Sequence, residues 1–153
     1  LTDPKKARVG YADMVADILH WGHVEFLKNC KSMCDYLVIE VPNDKLVAEN
    51  KRESFIPFEK RKEVVRSIRY VDEVRDSLSW NPSDVMRQLV SEGYNLKYYF
   101  HGNDKVDPRP VEYIESVGGE AMITPYVEGI STTYLIEQIM AKRKQSHAKP
   151  KKG

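Results

Sequence analysis

Residues His20-Trp21-Gly22-His23 place two of the chain's four histidines at one predicted strand-to-helix turn. Such a turn suits anions, because a helix N-terminus presents unpaired N–H groups and the positive end of its dipole, and imidazoles beside it add further donors. Gly22 between them lets a ligand approach the backbone closely. The chemistry indicated is the binding of a polyphosphate whose charge rises during reaction. An incidental surface pair and one half of a metal site are the two alternatives. The second lacks ligands: Cys30 and Cys34 lie four apart on a predicted helix end with no second pair, which is poor spacing for zinc.

The elements that must position this turn alternate along the chain. Arg8–Ala12 reads as a first strand, Gly22–Ser32 as a helix, Tyr36–Val41 as a strand ended by Pro42, and Pro57 opens a helix carrying Val64, Val65 and Ile68. Tyr70–Val74 is a predicted third strand and Pro82–Glu92 a helix behind an Asn81 cap. Lys97–Phe100 is a strand, Pro110–Val117 a helix stopped by Gly118-Gly119, Glu120–Ile123 a fifth strand and Ser131–Lys142 the last helix. The expectation is an α/β fold, a single Rossmann-like domain of about five mostly parallel strands with helices on both faces. Ligands bind such sheets at the carboxyl ends of the strands. The segments 13–23, 101–104 and 128–133 should therefore meet on one edge.

At 153 residues the chain fits one domain with a real core. Two cysteines fit a reducing compartment, no apolar run approaches the roughly 20 residues that span a bilayer, and no charged-then-apolar leader is visible. A cytoplasmic location is expected. The net charge of +1 hides a basic end, Lys142, Arg143, Lys144, Lys149, Lys151 and Lys152, without which the chain is acidic. The organisation expected is a nucleotide-handling domain over residues 1–141 and a disordered tail over 142–153, with no role in nucleic-acid binding. Leu1 is not an initiator residue, so an excerpt of a longer chain or a processed form is expected.

Three segments together carry a resemblance. Asp17-Ile18-Leu19-His20-Trp21-Gly22-His23 is similar to the HxGH signature of a nucleotidyltransferase superfamily, and Ile68-Arg69-Tyr70-Val71-Asp72-Glu73-Val74 and Gly129-Ile130-Ser131-Thr132-Thr133 resemble two further motifs of its cytidylyltransferase branch. Their order and spacing match over about residues 8–140. Glycerol-3-phosphate and choline- or ethanolamine-phosphate cytidylyltransferases usually read Gly-x-Phe/Tyr-Asp where this chain has Met14-Val15-Ala16-Asp17, and an arginine where it has Tyr126. Both departures resemble cytidylyltransferase-like domains associated with phosphoenolpyruvate mutase, which share Pro125-Tyr126-Val127-Glu128-Gly129-Ile130-Ser131.

The resemblance implies attack of an acceptor's phosphate or phosphonate oxygen on the α-phosphorus of CTP, releasing pyrophosphate. The nucleophile is already an anion, so the work is in-line positioning and charge neutralisation rather than general-base catalysis. It implies His20 and His23 as donors to the triphosphate, and Lys51 (or Arg52) and Arg69 as catalytic cations. Gly22, His101, Gly102, Asn103, Asp104, Gly129, Ile130, Ser131 and Thr132 would bind nucleotide, and Asp17 would lie beside the acceptor. Magnesium would arrive with CTP, held by phosphate oxygens and water rather than by a protein cage. The partners implied are CTP, a phospho- or phosphono-alcohol and a second copy in a homodimer. An ATP-dependent adenylyltransferase of the same superfamily and a catalytically silent nucleotide-binding module are the alternatives.

Overall fold

The computed structural model describes residues 1–125 and 127–148. Five strands, β1 (Val9–Asp13), β2 (Tyr36–Val41), β3 (Glu73–Asp76), β4 (Leu96–His101) and β5 (Glu120–Ile123), form one sheet in the order β3-β2-β1-β4-β5, and every pairing is parallel. The chain runs outward from β1 to β3 and then crosses back to β4. That reversal between β1 and β4 is the switch point where a doubly wound sheet opens a crevice.

Alternation along the strands feeds two cores. Leu37, Ile39 and Val41 of β2 pack with Phe26, Leu27 and Cys30 of α1 (Trp21–Met33) and Val65 of α3 (Phe58–Arg66). Val9, Tyr11 and Val38 face the other way, against Val85, Met86 and Leu89 of α4 (Ser83–Ser91) and Ile114 of α5 (Pro108–Ser116). A register shift between Val9 and Gly10 against β4 moves Tyr98 to the α1 face although Leu96 belongs to the other. The single α/β domain expected from the pattern is therefore present, with helices on both faces.

Some boundaries differ from those predicted. β3 starts at Glu73 rather than Tyr70, because residues 68–71 close a turn through Val71 N–H to Ile68 O and pairing begins only after Asp72, whose carboxylate and N–H both bind the backbone of Leu37. The charged loop expected after β2 contains α2 (Asp44–Asn50), capped by Asn43, whose side chain accepts from Leu46 N–H at 2.9 Å. The last helix, α6 (Thr132–Ala148), continues through Lys142, Arg143 and Lys144, where a disordered tail was expected to begin. Lys149, Lys151, Lys152 and Tyr126 lie outside the described residues.

Candidate active site

Because all strands run the same way, the N-termini of several helices collect at the carboxyl edge of the sheet. Residues at the starts of α1 (His20, Gly22), α4 (Pro82), α5 (Asp107) and α6 (Ser131, Thr132) line one cleft of about 620 Å³. Asp13 and His101, ending β1 and β4, form its base at the switch point. The positive ends of the helix dipoles thus converge on a single volume.

The two signature histidines cap α1 reciprocally. His20 Nδ1 accepts from Gly22 N–H at 3.1 Å, and His23 Nδ1 accepts from His20 N–H at 3.1 Å. An Nδ1 that accepts carries no proton, so each neutral ring keeps its hydrogen on Nε2 as a donor. Burial lowers the pKa of both; for His23 it falls to about 4, with His20 and Lys51 adding to the effect. Neither ring needs protonation to donate. Gly22 is required by packing: a Cβ there would lie 2.8 Å from Ile130 Cγ2 and 2.9 Å from the His20 ring. That contact presses the first motif against the last, where Gly129 turns the chain with φ +79° and the Ser131 hydroxyl caps α6 by accepting from Tyr134 N–H at 3.0 Å.

Lys51, the C-cap of α2, and Arg52 also line the cleft. Asp17 is 5 % exposed and is occupied structurally: it accepts the N–H groups of Phe55 and Ile56, both at 2.9 Å, and pairs with Arg52 at 3.4 Å. It shapes one wall of the cleft. Ala16 before it has φ +55°, a left-handed conformation costly for a residue with a Cβ. Beneath this wall Arg61, fully buried, donates to Val15 O at 2.8 Å and Ile56 O at 3.0 Å and pairs with Asp44 at 2.8 Å. It ties the β1–α1 loop to the 51–56 segment.

His101, Gly102 and Asp104 line the cleft as expected. His101 Nδ1 lies 2.6 Å from Gly102 O, so it is Nδ1 that carries the proton there, the opposite tautomer to His20 and His23. Three expected site residues lie elsewhere. Asn103 and Gly129 are exposed outside the lining, and Arg69 sits in the turn before β3, at the amino edge of the sheet, with its guanidinium 5.2 Å over the Tyr70 ring. Arg69 was expected to start a strand, and the later start of β3 leaves it at the opposite end from the cleft.

The structure adds residues that no motif marked. Ser77, Ser79 and Trp80 follow β3, and Glu40 lies on β2 directly beside Asp13 in the sheet register. Glu40 is 3 % exposed; Ser77 Oγ donates to its Oε2 at 2.8 Å, and the buried Tyr11 hydroxyl is a second hydrogen-bonding neighbour. Burial and the Asp13 charge push its pKa up to about 8. Asp13 is open to the cleft but crowded by protein elsewhere, which raises its own pKa against the pull of His101. A glutamate inside the apolar run Tyr-Leu-Val-Ile-Glu-Val was the available signal, since buried glutamates are rare.

This chain matches the cytidylyltransferase-like family model over residues 12–138. It is 31% identical over 123 residues to glycerol-3-phosphate cytidylyltransferase of Bacillus subtilis, covering 80% of this chain and 90% of that protein. It is 28% identical over 140 residues to ethanolamine-phosphate cytidylyltransferase of Arabidopsis thaliana, of which it spans only 33%. A shorter match, 49% identical over 71 residues and covering 46% of this chain and 47% of the other, is to FAD synthase of Thermococcus kodakarensis. Among solved structures, a lipopolysaccharide core biosynthesis protein from Thermoplasma volcanium shares the fold, with a TM-score of 0.62 at 23% identity over 79% of this chain and 97% of that one. With its parallel sheet and a family match running from β1 into α6, the chain belongs to the cytidylyltransferase-like family of nucleotidyltransferases.

Proposed function

We propose that this protein transfers CMP from CTP to a small phosphorylated or phosphonylated alcohol, with release of pyrophosphate. The observation that carries this reading is the reciprocal cap of His20 and His23, two neutral imidazoles whose Nε2–H donors the cap does not use, at a helix N-terminus lining one cleft with the start of α6. Both histidines would donate to the triphosphate and gain strength as charge builds on the departing pyrophosphate. Ser131, Thr132 and the α6 amides would hold the outer phosphates, and Lys51 would approach the α-phosphate from the α2 side. The acceptor's anionic oxygen attacks the α-phosphorus in line and the bond to the bridging oxygen breaks, so pyrophosphate leaves without a general base.

Among the described residues no cluster of three or more His, Cys, Asp or Glu side chains could hold a metal ion. Magnesium would be held by the triphosphate oxygens and water, and its contribution would be neutralisation of phosphate charge. We further propose a cytoplasmic homodimer that does not bind nucleic acid. Among the described residues no helix is long and apolar enough to cross a membrane.

A second reading, transfer of AMP from ATP, is favoured by the match to a FAD synthase, whose product contains adenine. Pyrophosphate release measured with each nucleoside triphosphate and a panel of phospho- and phosphono-alcohols decides between them. The expected result is acceptor-dependent release with CTP. Release with ATP alone supports the second reading, and tight CTP binding without release on any acceptor overturns both in favour of a silent module.

A further inference from the structure

The last helix stands away from the domain that its first turn serves. Thr132 Oγ1 reaches Ile18 O at 3.5 Å and Ile130 packs on Gly22, but from Glu137 to His147 every residue of α6 is exposed. Its apolar residues nevertheless form a stripe. Leu135, Ile136, Ile139 and Met140 recur at helical spacing and share one face, the first two half-buried and the last two bare, at 59% and 52% exposure. A single helix of this length is marginal in water without a packed face. The stripe is the part of α6 that packing has to cover.

The charges beside the stripe indicate what covers it. Glu137 and Lys144 lie seven residues apart, and so on the same flank of the helix, while Lys142 and Arg143 add to the basic character of its second half. That spacing is self-complementary. In an antiparallel pair of α6 helices centred between Ile139 and Met140, Glu137 of each copy approaches Lys144 of the other, and the opposed helix dipoles add to the attraction. A parallel pair would instead set Lys142, Arg143 and Lys144 against their own copies. We propose that α6 is an interaction surface for a second copy of this chain, docking antiparallel on the same helix of that copy through Leu135, Ile136, Ile139 and Met140. The inference rests on the homodimer reading, to which it gives a contact surface, and not on the reaction. Ile139 of each copy meets Met140 of the other, and the aliphatic stem of Arg143 lies over Ile136. Four apolar side chains per copy make a small interface, below the roughly 1,200 Å² of stable complexes, so the dimer is weak and reversible.

The test is sedimentation velocity over a range of micromolar protein concentrations, with circular dichroism to confirm that each variant keeps its helix content. Wild type should pass reversibly from monomer to dimer, and I139E, which puts a charge in the middle of the stripe, should abolish the dimer. E137K and K144E should each weaken association by about tenfold, since each turns two attractions into repulsions. An equimolar mixture of E137K and K144E, in which every cross-pair is again opposite in charge, should recover the wild-type affinity. A merely structural role for these residues gives no such recovery. A wild type that stays monomeric at every concentration overturns the inference and the homodimer reading together. A dimer that survives I139E, or single swaps that the mixture does not rescue, overturns the inference alone. Binding of wild type but not I139E to vesicles of phosphatidylglycerol and phosphatidylcholine, with no dimer in solution, overturns it in favour of a lipid surface.

Discussion

The two sides of the cleft are built by different physics. The donor side, His20, His23, Lys51 and the Ser131 cap, consists of helix ends and loop residues held by local hydrogen bonds, with the buried Arg61 tying Val15 of the β1–α1 loop to Ile56 and Asp44. The acidic side, Asp13 and Glu40, consists of strand ends fixed by sheet pairing, with no sequence neighbour in common. Donors aimed at phosphate must sit where backbone N–H groups point, and short local motifs can encode that. A glutamate inside an apolar strand marks one such carboxylate in the sequence, but its pairing with another across the sheet leaves no local trace.

The largest effect that would break this division is on the donor side. His23→Ala should lower kcat by about a hundred- to a thousandfold for every acceptor, the scale for losing one preorganised donor to a developing charge. Steady-state kinetics check this, and a loss confined to one acceptor would place His23 on the wrong side. Arg61→Ala should destabilise the fold by about 3 kcal/mol in urea unfolding, because it removes a fully buried guanidinium that binds Asp44 and leaves two backbone carbonyls without that donor. At temperatures where the variant stays folded, KM for CTP should rise more than KM for the acceptor.

Titration sharpens the contrast. Glu40 has a pKa raised from an ordinary 4.5 to about 8, so between those values the unfolded chain has released a proton that the folded protein retains. Stability should fall as pH rises through that window, and E40Q should flatten the slope. His23 acts in the opposite sense: lowered from 6.5 to about 4, it contributes stability that is lost as pH falls through that range. Urea midpoints from pH 4 to 9 in wild type, E40Q and His23→Gln separate the two. The smallest effect is at the loop joining the sides. Ala16→Gly should relieve the φ +55° conformation and raise stability by up to about 1 kcal/mol, read as a shift in urea midpoint.

The same contrast explains what was legible in the sequence. The strands β2 and β5 fell on their predicted residues, and the parallel sheet followed from the alternation of elements. His20, His23 and Ser131 were recoverable because their caps depend on neighbours within a few residues, whereas the packing of Gly22 against Ile130 needed the fold. α2 was not, since a short polar helix with only Val47 buried has little periodicity to read. Arg69 was misplaced because the turn at 68–71, set by the tertiary pairing of Asp72 with Leu37, delays β3. Glu40, Ser77 and Arg61 needed the fold, because Ser77 is 37 residues from Glu40 and Arg61 is 17 from Asp44 and 46 from Val15, pairs that meet only across strands and loops.

The most direct measurement of the central claim is the rate of pyrophosphate release from CTP in wild type and His23→Ala, with phosphoethanolamine and sn-glycerol 3-phosphate as acceptors. If the capped histidines serve the nucleotide, wild type releases pyrophosphate with at least one acceptor and His23→Ala lowers kcat by about the same factor for every acceptor used. An unchanged kcat in His23→Ala, or no acceptor-dependent release from CTP in wild type, would contradict the account.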